Sequence, residues 1–217
     1  MDKNQKFVIT IAREVGSGGR TIGRKLAEKL NIRYCDKDLI EGLVDQFGLS
    51  VYEIETIKAR KKSWLTDFIE RVAPVPGPGA FVGFNPRYGE DLNHNVTSED
   101  LFKAETEIIR GLAEEGSCVI AGRSGFFVLR DHPNHLRVFI EASKDYRVAR
   151  VAKRQNLTEE QAEIIVETLD RDRENYVRRF ANVSRSNTGN YDLVLNVDHL
   201  TEDAAVECIL KYMEVSR

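Results

Sequence analysis

Near the amino terminus a run of apolar and β-branched residues, 7–12, leads directly into a glycine-rich turn at 16–19. The run has almost no polar alternation, which is typical of a strand buried on both faces. The residues after the turn, 21–30, repeat an apolar side chain every four positions, which predicts an amphipathic helix. A strand that buries both faces needs covering helices on both sides of its sheet. This beginning therefore predicts an α/β fold.

The alternation of strands and helices continues along the chain, which predicts crossover connections and a mainly parallel sheet. Capping-box spacings at 50–53, 97–100 and 158–161, and single caps at Ser143 and Thr201, mark helix starts. We predict a three-layer α/β fold with a mainly five-stranded parallel sheet and helices on both faces. The predicted strands are 7–12, 32–35, 118–121, 136–140 and 191–197.

The stretch from 50 to 96 interrupts the alternation. Residues 37–47 and 50–73 have helical patterns, and four of the five prolines fall between 74 and 86, among several glycines. A loop of this length in a compact domain is either functional or disordered. We predict one domain over residues 1–217, with a helical and Gly/Pro-rich insertion at 50–96.

Composition excludes several classes of protein. The chain has 217 residues, of which 41% are hydrophobic, and this is a globular composition. No apolar run approaches the ~18 residues of a membrane span, and the short run ending at Ala12 is not expected to be a secretory signal. A net charge of −3 does not favour binding to duplex nucleic acid.

The cysteines and histidines show no metal-binding spacing. The three cysteines are scattered, without a Cys-x-x-Cys pair, so neither a disulfide framework nor a zinc site is expected. We therefore expect a reducing, cytoplasmic location. We also expect all four histidines to lie on the surface. Their positions are His94, His132, His135 and His199.

The glycine-rich turn is the strongest chemical signal. Glycines let successive backbone amides point inward, and a helix start adds partial positive charge, so the turn predicts an anion-binding loop. The alternative is a tight turn whose glycines serve only geometry. The standard phosphate loop has lysine before Ser or Thr, whereas Arg20 precedes Thr21 here. Arg20 is the first candidate for the phosphate-binding cation, and Arg13 is the second. The alternative for each is an ordinary solvated arginine on the surface.

Several stretches resemble the cytidylate kinase-like family, a branch of the nucleoside monophosphate kinases. The resemblance covers nearly the whole chain except about 50–96. It rests on residues 9–23, 26–30, 34–40, 119–125, 136–142, 170–173, 176 and 191–196.

The resemblance implies a P-loop fold with a lid at 155–187, and it implies ATP and Mg²⁺ as cofactors. Gly19 stands where the family's loop carries lysine. Thr21 is the expected Mg²⁺ ligand, as P-loop Ser and Thr residues are. The residues expected to hold ATP are Arg13, Gly16, Ser17, Gly18, Gly19, Arg20 and Thr21.

The resemblance also implies which residues bind the acceptor substrate, the molecule that receives the phosphoryl group. Arg123 matches an arginine that meets the nucleotide phosphate, while Ser124 replaces an aspartate that contacts the acceptor. Asp36 matches an aspartate near the monophosphate site, although a helix-capping role is equally open. Expected substrate-binding residues are Asp36, Arg123 and Asp172, and expected catalytic residues are Arg20, Arg123, Arg171 and Arg173.

We therefore expect an ATP-dependent phosphotransferase acting on a nucleoside monophosphate, with CMP as the first candidate. Two alternatives stay open. One is a non-catalytic nucleotide-binding module, suggested by the missing lysine. The other is a kinase for a different small acceptor, suggested by Ser124 and the proline-rich insertion. Small-molecule nucleotides are the expected partners, and a homodimer is possible.

Overall fold

The computed structural model describes residues 1–2, 4–36 and 96–216. The helices predicted at 37–47 and 50–73, and nearly all of the insertion predicted at 50–96, lie outside the described residues. The strands are β1 (Val8–Arg13), β2 (Arg33–Cys35), β3 (Cys118–Ala121), β4 (His135–Glu141) and β5 (Leu193–Asn196). The helices are α1 (Gly19–Leu30), α2 (Ser98–Glu115), α3 (Gly125–Val128), α4 (Lys144–Gln155), α5 (Glu159–Ala181) and α6 (Glu202–Val215), with a 3₁₀ turn at Thr188–Asn190.

The five strands form one parallel sheet in the order β2-β3-β1-β4-β5. The predicted parallel sheet is confirmed. In this order the carboxyl ends of β2, β3 and β1 lie side by side. Ligands of open parallel sheets bind beyond the carboxyl ends of their strands, so this edge is where a site is expected.

Helices cover both faces of the sheet. On one face α1 and α6 bury Leu26 and Ile209 against Ile9 and Ile11 of β1. On the other face α2 and α5 close two further apolar clusters, one of them around Tyr191. The strands therefore bury both faces, as their nearly continuous apolar character predicts.

Local capping signals set the helix starts. Thr97 and Thr158 each form a complete capping box, with Asp100 and Gln161 as the reciprocal partners. Ser143 and Thr201 each accept the backbone N–H three residues on, those of Tyr146 and Ala204. The four predicted caps that fall on described residues are confirmed, and the capping box predicted at 50–53 lies outside them.

Three expectations need correction. β5 spans Leu193–Asn196 and not 191–197, because Tyr191 packs in a cluster beside Phe139 and its hydroxyl donates to the Arg185 carbonyl at 2.6 Å. The short helix α3 was not predicted, since four residues carry no periodicity. His135 is not a surface residue, because its ring bonds both Thr10 and the chain after α3.

His135 links β4 to the centre of the sheet. Its Nδ1 donates to the Leu129 carbonyl at 2.8 Å, which leaves Nε2 to accept from the Thr10 hydroxyl at 2.7 Å. Burial lowers the pKa of His135 to about 4. The folded protein therefore holds this imidazole neutral at pH values where the unfolded chain protonates it.

Stability should fall as the pH drops from about 6.5 towards 4, because only the unfolded chain gains a proton on His135 in that window. The contribution is fully present above about pH 6.5, and its loss is at most about 3 kcal/mol. Urea unfolding at several pH values measures it. In His135→Gln the dependence between pH 6.5 and 5 should flatten, and an unchanged pH profile in that variant would refute the assignment.

Candidate functional site

The turn between β1 and α1 lies at the carboxyl end of the central strand. Gly16 and Gly18 have φ values of 86° and 83°, the left-handed region that favours glycine. No side chain of the described residues caps α1, whose first backbone bond runs from the Ile22 amide to the Gly18 carbonyl at 3.1 Å. The amides of residues 18–21 have no acceptor among the described residues, and an anion suits them.

Ser17 and Thr21 have different positions in this turn. Ser17 is buried, and its hydroxyl donates to the Glu14 carbonyl at 2.9 Å, so its side chain braces the turn. Its backbone N–H also donates to the Glu14 carbonyl, at 3.4 Å. Thr21 is partly exposed in the first turn of α1. The turn thus fits the phosphates of ATP, and Thr21 fits a hydroxyl ligand of Mg²⁺.

Asp170 of α5 ties the turn to the rest of the molecule. Its carboxylate accepts the Val15 amide at 3.0 Å, Arg147 Nη1 at 2.7 Å and Arg185 Nη2 at 3.2 Å. Arg185 also donates to the Arg13 carbonyl at 2.7 Å. The sequence singled out Asp170 only as part of a motif, and nothing local to it reveals this role.

Glu14 and Arg147 hold the turn from the side of α4. Glu14 accepts the Ala142 amide at 3.0 Å, and burial raises the pKa of its carboxyl. Arg147 donates to the Val15 carbonyl at 3.3 Å. A Cβ on Gly16 would lie 2.6 Å from the Arg147 carbonyl, so the turn runs against the backbone of α4.

Arg13, the last residue of β1, extends its side chain across the sheet edge. A Cβ on Gly19 would lie 2.6 Å from Arg13 Cβ, and a Cβ on Gly122 would lie 3.0 Å from Arg13 Cζ. The side chain therefore passes over Gly19 and ends beside Gly122, directly after β3. Burial lowers the pKa of Arg13, a shift that Asp36 opposes and that Arg20 and Arg123 reinforce.

Arg20 and Asp36 form an ion pair. Arg20 Nε lies 2.6 Å from Asp36 Oδ2, and the side chain of Arg20 is 62% exposed while that of Asp36 is 8% exposed. The structure thus pairs a residue expected to bind ATP with a residue expected to bind the acceptor substrate. Asp36 follows β2, so the pair sits at the same sheet edge as the turn.

Arg123 lies in a buried polar cluster directly after β3. Its Nη1 is 3.4 Å from Glu105 Oε1, and the Tyr176 hydroxyl donates to Glu105 Oε2 at 2.8 Å. Glu105 is 1% exposed and was not among the predicted site residues. It falls on the apolar stripe of α2 with Leu101, and a charged residue on such a stripe is the signal that would have identified it.

Two further features mark the segment after β3. Arg123 and Ser124 have φ values of 56° and 58°, an uncommon conformation for residues other than glycine. The hydroxyl of Ser124 is buried and has no hydrogen-bond partner among the described residues. Strained backbone and an unpaired buried polar atom at one place are features that cluster at ligand sites.

The three expected lid residues lie on α5, which is continuous from Glu159 to Ala181. Arg171 is exposed, while Asp172 and Arg173 are partly buried. Arg173 Nη1 lies 3.8 Å from Asp170 Oδ1, so Arg173 adjoins the carboxylate that holds the turn. Burial raises the pKa of Asp172.

No group of three or more His, Cys, Asp or Glu side chains among the described residues is arranged to hold a metal ion. No helix of the described part is long and apolar enough to cross a membrane.

The sequence model of the cytidylate kinase-like family matches residues 8–199, which include β1, the turn and all the expected site residues. The chain belongs to the cytidylate kinase-like family. A cytidylate kinase of Sulfurisphaera tokodaii is 25% identical to it over 211 residues, which are 95% of each chain.

Solved structures share the fold. An uncharacterized protein of Eubacterium ventriosum superimposes with a TM-score of 0.66 at 24% identity, over 98% of this chain and 100% of that one. The shikimate kinase of Acinetobacter baumannii, solved with shikimate, gives a TM-score of 0.52 at 15% identity, over 99% and 96% of the two chains. The protein therefore has the fold of the P-loop kinases, as predicted, and the family places it among the phosphotransferases.

Proposed function

We propose that the protein is an ATP-dependent phosphotransferase whose acceptor is a nucleoside monophosphate, with CMP as the first candidate. The observation that carries the proposal is the uncapped start of α1 behind left-handed Gly16 and Gly18 at the carboxyl end of β1. The Sulfurisphaera tokodaii relative, aligned over 95% of this chain, is a cytidylate kinase, which supports CMP as the acceptor.

The donor side is assigned to the turn. Backbone amides of Gly16 and of residues 18–21 bind phosphate oxygens, while the Ser17 amide stays with the Glu14 carbonyl. The Thr21 hydroxyl ligates the cation. When bound, ATP supplies the phosphoryl group, and Mg²⁺ neutralises charge on its phosphates. No general base is needed from the chain, because positioning and charge neutralisation dominate this reaction.

The acceptor side is assigned to the neighbouring strand ends. Asp36 after β2 and Arg123 after β3 lie next to the turn because β2, β3 and β1 are adjacent in the sheet. Glu105 holds the Arg123 guanidinium in place for an acceptor phosphate. Arg171, Asp172 and Arg173 belong to the proposed lid, 155–187, which brings cations towards the transferred group.

The test is an assay of the full chain with Mg²⁺-ATP and a panel of CMP, dCMP, UMP, AMP and GMP, measuring ADP. We expect ADP formation that depends on the acceptor, fastest with CMP. In parallel, titration calorimetry measures the binding of ATP to the protein. ATP binding without turnover on any acceptor would contradict the proposal and favour a non-catalytic module, for which Gly19 in place of the family's lysine is the motivating observation.

A second candidate is a kinase for a different small acceptor. Its motivation is Ser124, whose buried hydroxyl lacks a partner among the described residues, at a position where the resemblance implies an aspartate. A hydroxyl and a carboxylate select different acceptor groups, because one can donate a hydrogen bond and the other only accepts. Small hydroxy acids and sugar alcohols added to the same assay separate the two candidates. ADP formation with one of these, and none with the monophosphates, would favour the second.

A further inference from the structure

We propose that Arg13 supplies the phosphate-binding cation of the turn, and that residues 19 and 122 are glycines because its side chain fills the space above them. This inference rests on the proposed function and deepens it. It assigns to the end of β1 a role that the resemblance would place on residue 19.

Arg13 and a side chain at position 19 exclude each other. A Cβ on Gly19 would lie 2.6 Å from Arg13 Cβ and 3.0 Å from Arg13 Cγ. The first distance is shorter than any that two non-bonded carbon atoms normally adopt. Both atoms belong to the fixed base of the arginine, so rotation of its distal end cannot relieve the contact. A lysine at 19 therefore cannot coexist with Arg13 in this conformation.

The guanidinium has a second glycine beneath it. A Cβ on Gly122 would collide with Arg13 Nη1 and lie 3.0 Å from Cζ. Gly122 directly follows β3 and has a φ of 80°. The charged end of Arg13 thus lies between the turn and Arg123, where donor and acceptor phosphates would meet.

The partners of the surrounding arginines point to the same residue. Among the described residues the structure gives the Arg13 guanidinium no hydrogen-bond or ion-pair partner, although the Asp36 carboxylate is near enough to raise its pKa against the lowering by burial. Its arginine neighbours all have partners. These pairs are Arg20 with Asp36, Arg123 with Glu105, Arg147 with Asp170, and Arg185 with Asp170.

Arg13 is partly exposed, and its guanidinium carries five N–H donors that are left to water or to a ligand. An anion placed between the turn and Gly122 would satisfy them. Arg20, which the sequence favours for this role, is 62% exposed and already pairs with Asp36. The geometry therefore favours Arg13 over Arg20.

The test compares Arg13→Met, Arg13→Gly, Gly19→Lys and the Arg13→Gly/Gly19→Lys double variant with the wild type, because only glycine at 13 removes the Cβ that would meet a side chain at 19. Arg13→Met keeps the aliphatic stem and removes the donors. Calorimetry measures the dissociation constants of inorganic tripolyphosphate and Mg²⁺-ATP, and the ADP assay measures turnover. Melting temperature without ligand checks that each variant folds.

We expect Arg13→Met to weaken tripolyphosphate binding about tenfold and to lower turnover by about 10²–10³. Gly19→Lys alone should also lose binding, because the new side chain displaces Arg13. In the Arg13→Gly/Gly19→Lys double variant the lysine occupies the vacated space, so binding and turnover should recover at least tenfold relative to either single variant.

Arg33→Ala is the matched control, since this half-exposed arginine lies at the opposite, amino end of β2 and pairs with Glu115. It should behave as the wild type. Wild-type binding and turnover in Arg13→Met would overturn the inference and leave the proposed function standing, as would a double variant no better than the single ones. Wild-type protein that binds neither tripolyphosphate nor ATP would overturn the proposed function and this inference together.

Discussion

Replacing Asp170 by asparagine should lower the free energy of unfolding by about 3 kcal/mol. The carboxylate is shared by the guanidinium groups of Arg147 and Arg185, whose side chains are only 12% and 10% exposed. Asparagine keeps the volume but leaves Arg185 without its counter-charge in a poorly hydrated site, and leaves Arg147 with only the Glu14 carboxylate at 3.4 Å among the described residues. Breaking one partner of a buried ion pair is far more costly than losing a surface pair. Urea unfolding followed by circular dichroism measures the loss.

Asp131→Asn provides the comparison, because the Asp131 side chain is 90% exposed and, among the described residues, pairs only with its neighbour Arg130. Its unfolding free energy should change by less than about 0.5 kcal/mol. Since Asp170 also accepts the Val15 amide, Asp170→Asn should in addition weaken ATP binding, by loosening the turn. Equal midpoints for Asp170→Asn and Asp131→Asn would show that the shared carboxylate is not a stabilising centre.

The sequence predicts most of the secondary structure because the deciding signals are local. β3 was predicted at 118–121 and is observed as Cys118–Ala121, a short apolar run ended by Gly122. The helix starts at Thr97 and Thr158 follow from side chains that bond their own backbone three residues on. Parallel pairing follows in turn from the alternation, since parallel neighbours require crossover connections.

The partners of the site residues could not be predicted in the same way. Arg123, in the loop after β3, was chosen from the sequence, but its partner Glu105 lies 18 residues away on α2. The Arg13 side chain excludes any side chain at position 19. This steric conflict depends on how the end of β1 lies against the start of α1. Sequence patterns indicate which residues carry charge, whereas tertiary contacts decide which charges are neutralised and which are left for a ligand.

Gly16→Ala should abolish most ATP binding while leaving the protein folded. A left-handed φ of 86° costs an alanine about 1–2 kcal/mol, and its Cβ would lie 2.6 Å from the Arg147 carbonyl and 2.9 Å from Arg147 Cα. These are backbone atoms of α4 and cannot rotate away, so the turn must move. Its amides then lose their common direction, and we expect ATP affinity to fall at least about tenfold.

Gly111→Ala is the matched control for this variant. Gly111 lies within α2, where a new Cβ meets no atom of the described residues within 4 Å. Alanine there should raise the free energy of unfolding by about 0.5–1 kcal/mol through its higher helix propensity, with ATP binding unchanged. Calorimetric titration of ATP into both variants decides the matter. If Gly16→Ala binds ATP as tightly as Gly111→Ala does, the phosphates are not held by this turn, because its amides cannot keep their positions around an alanine at 16.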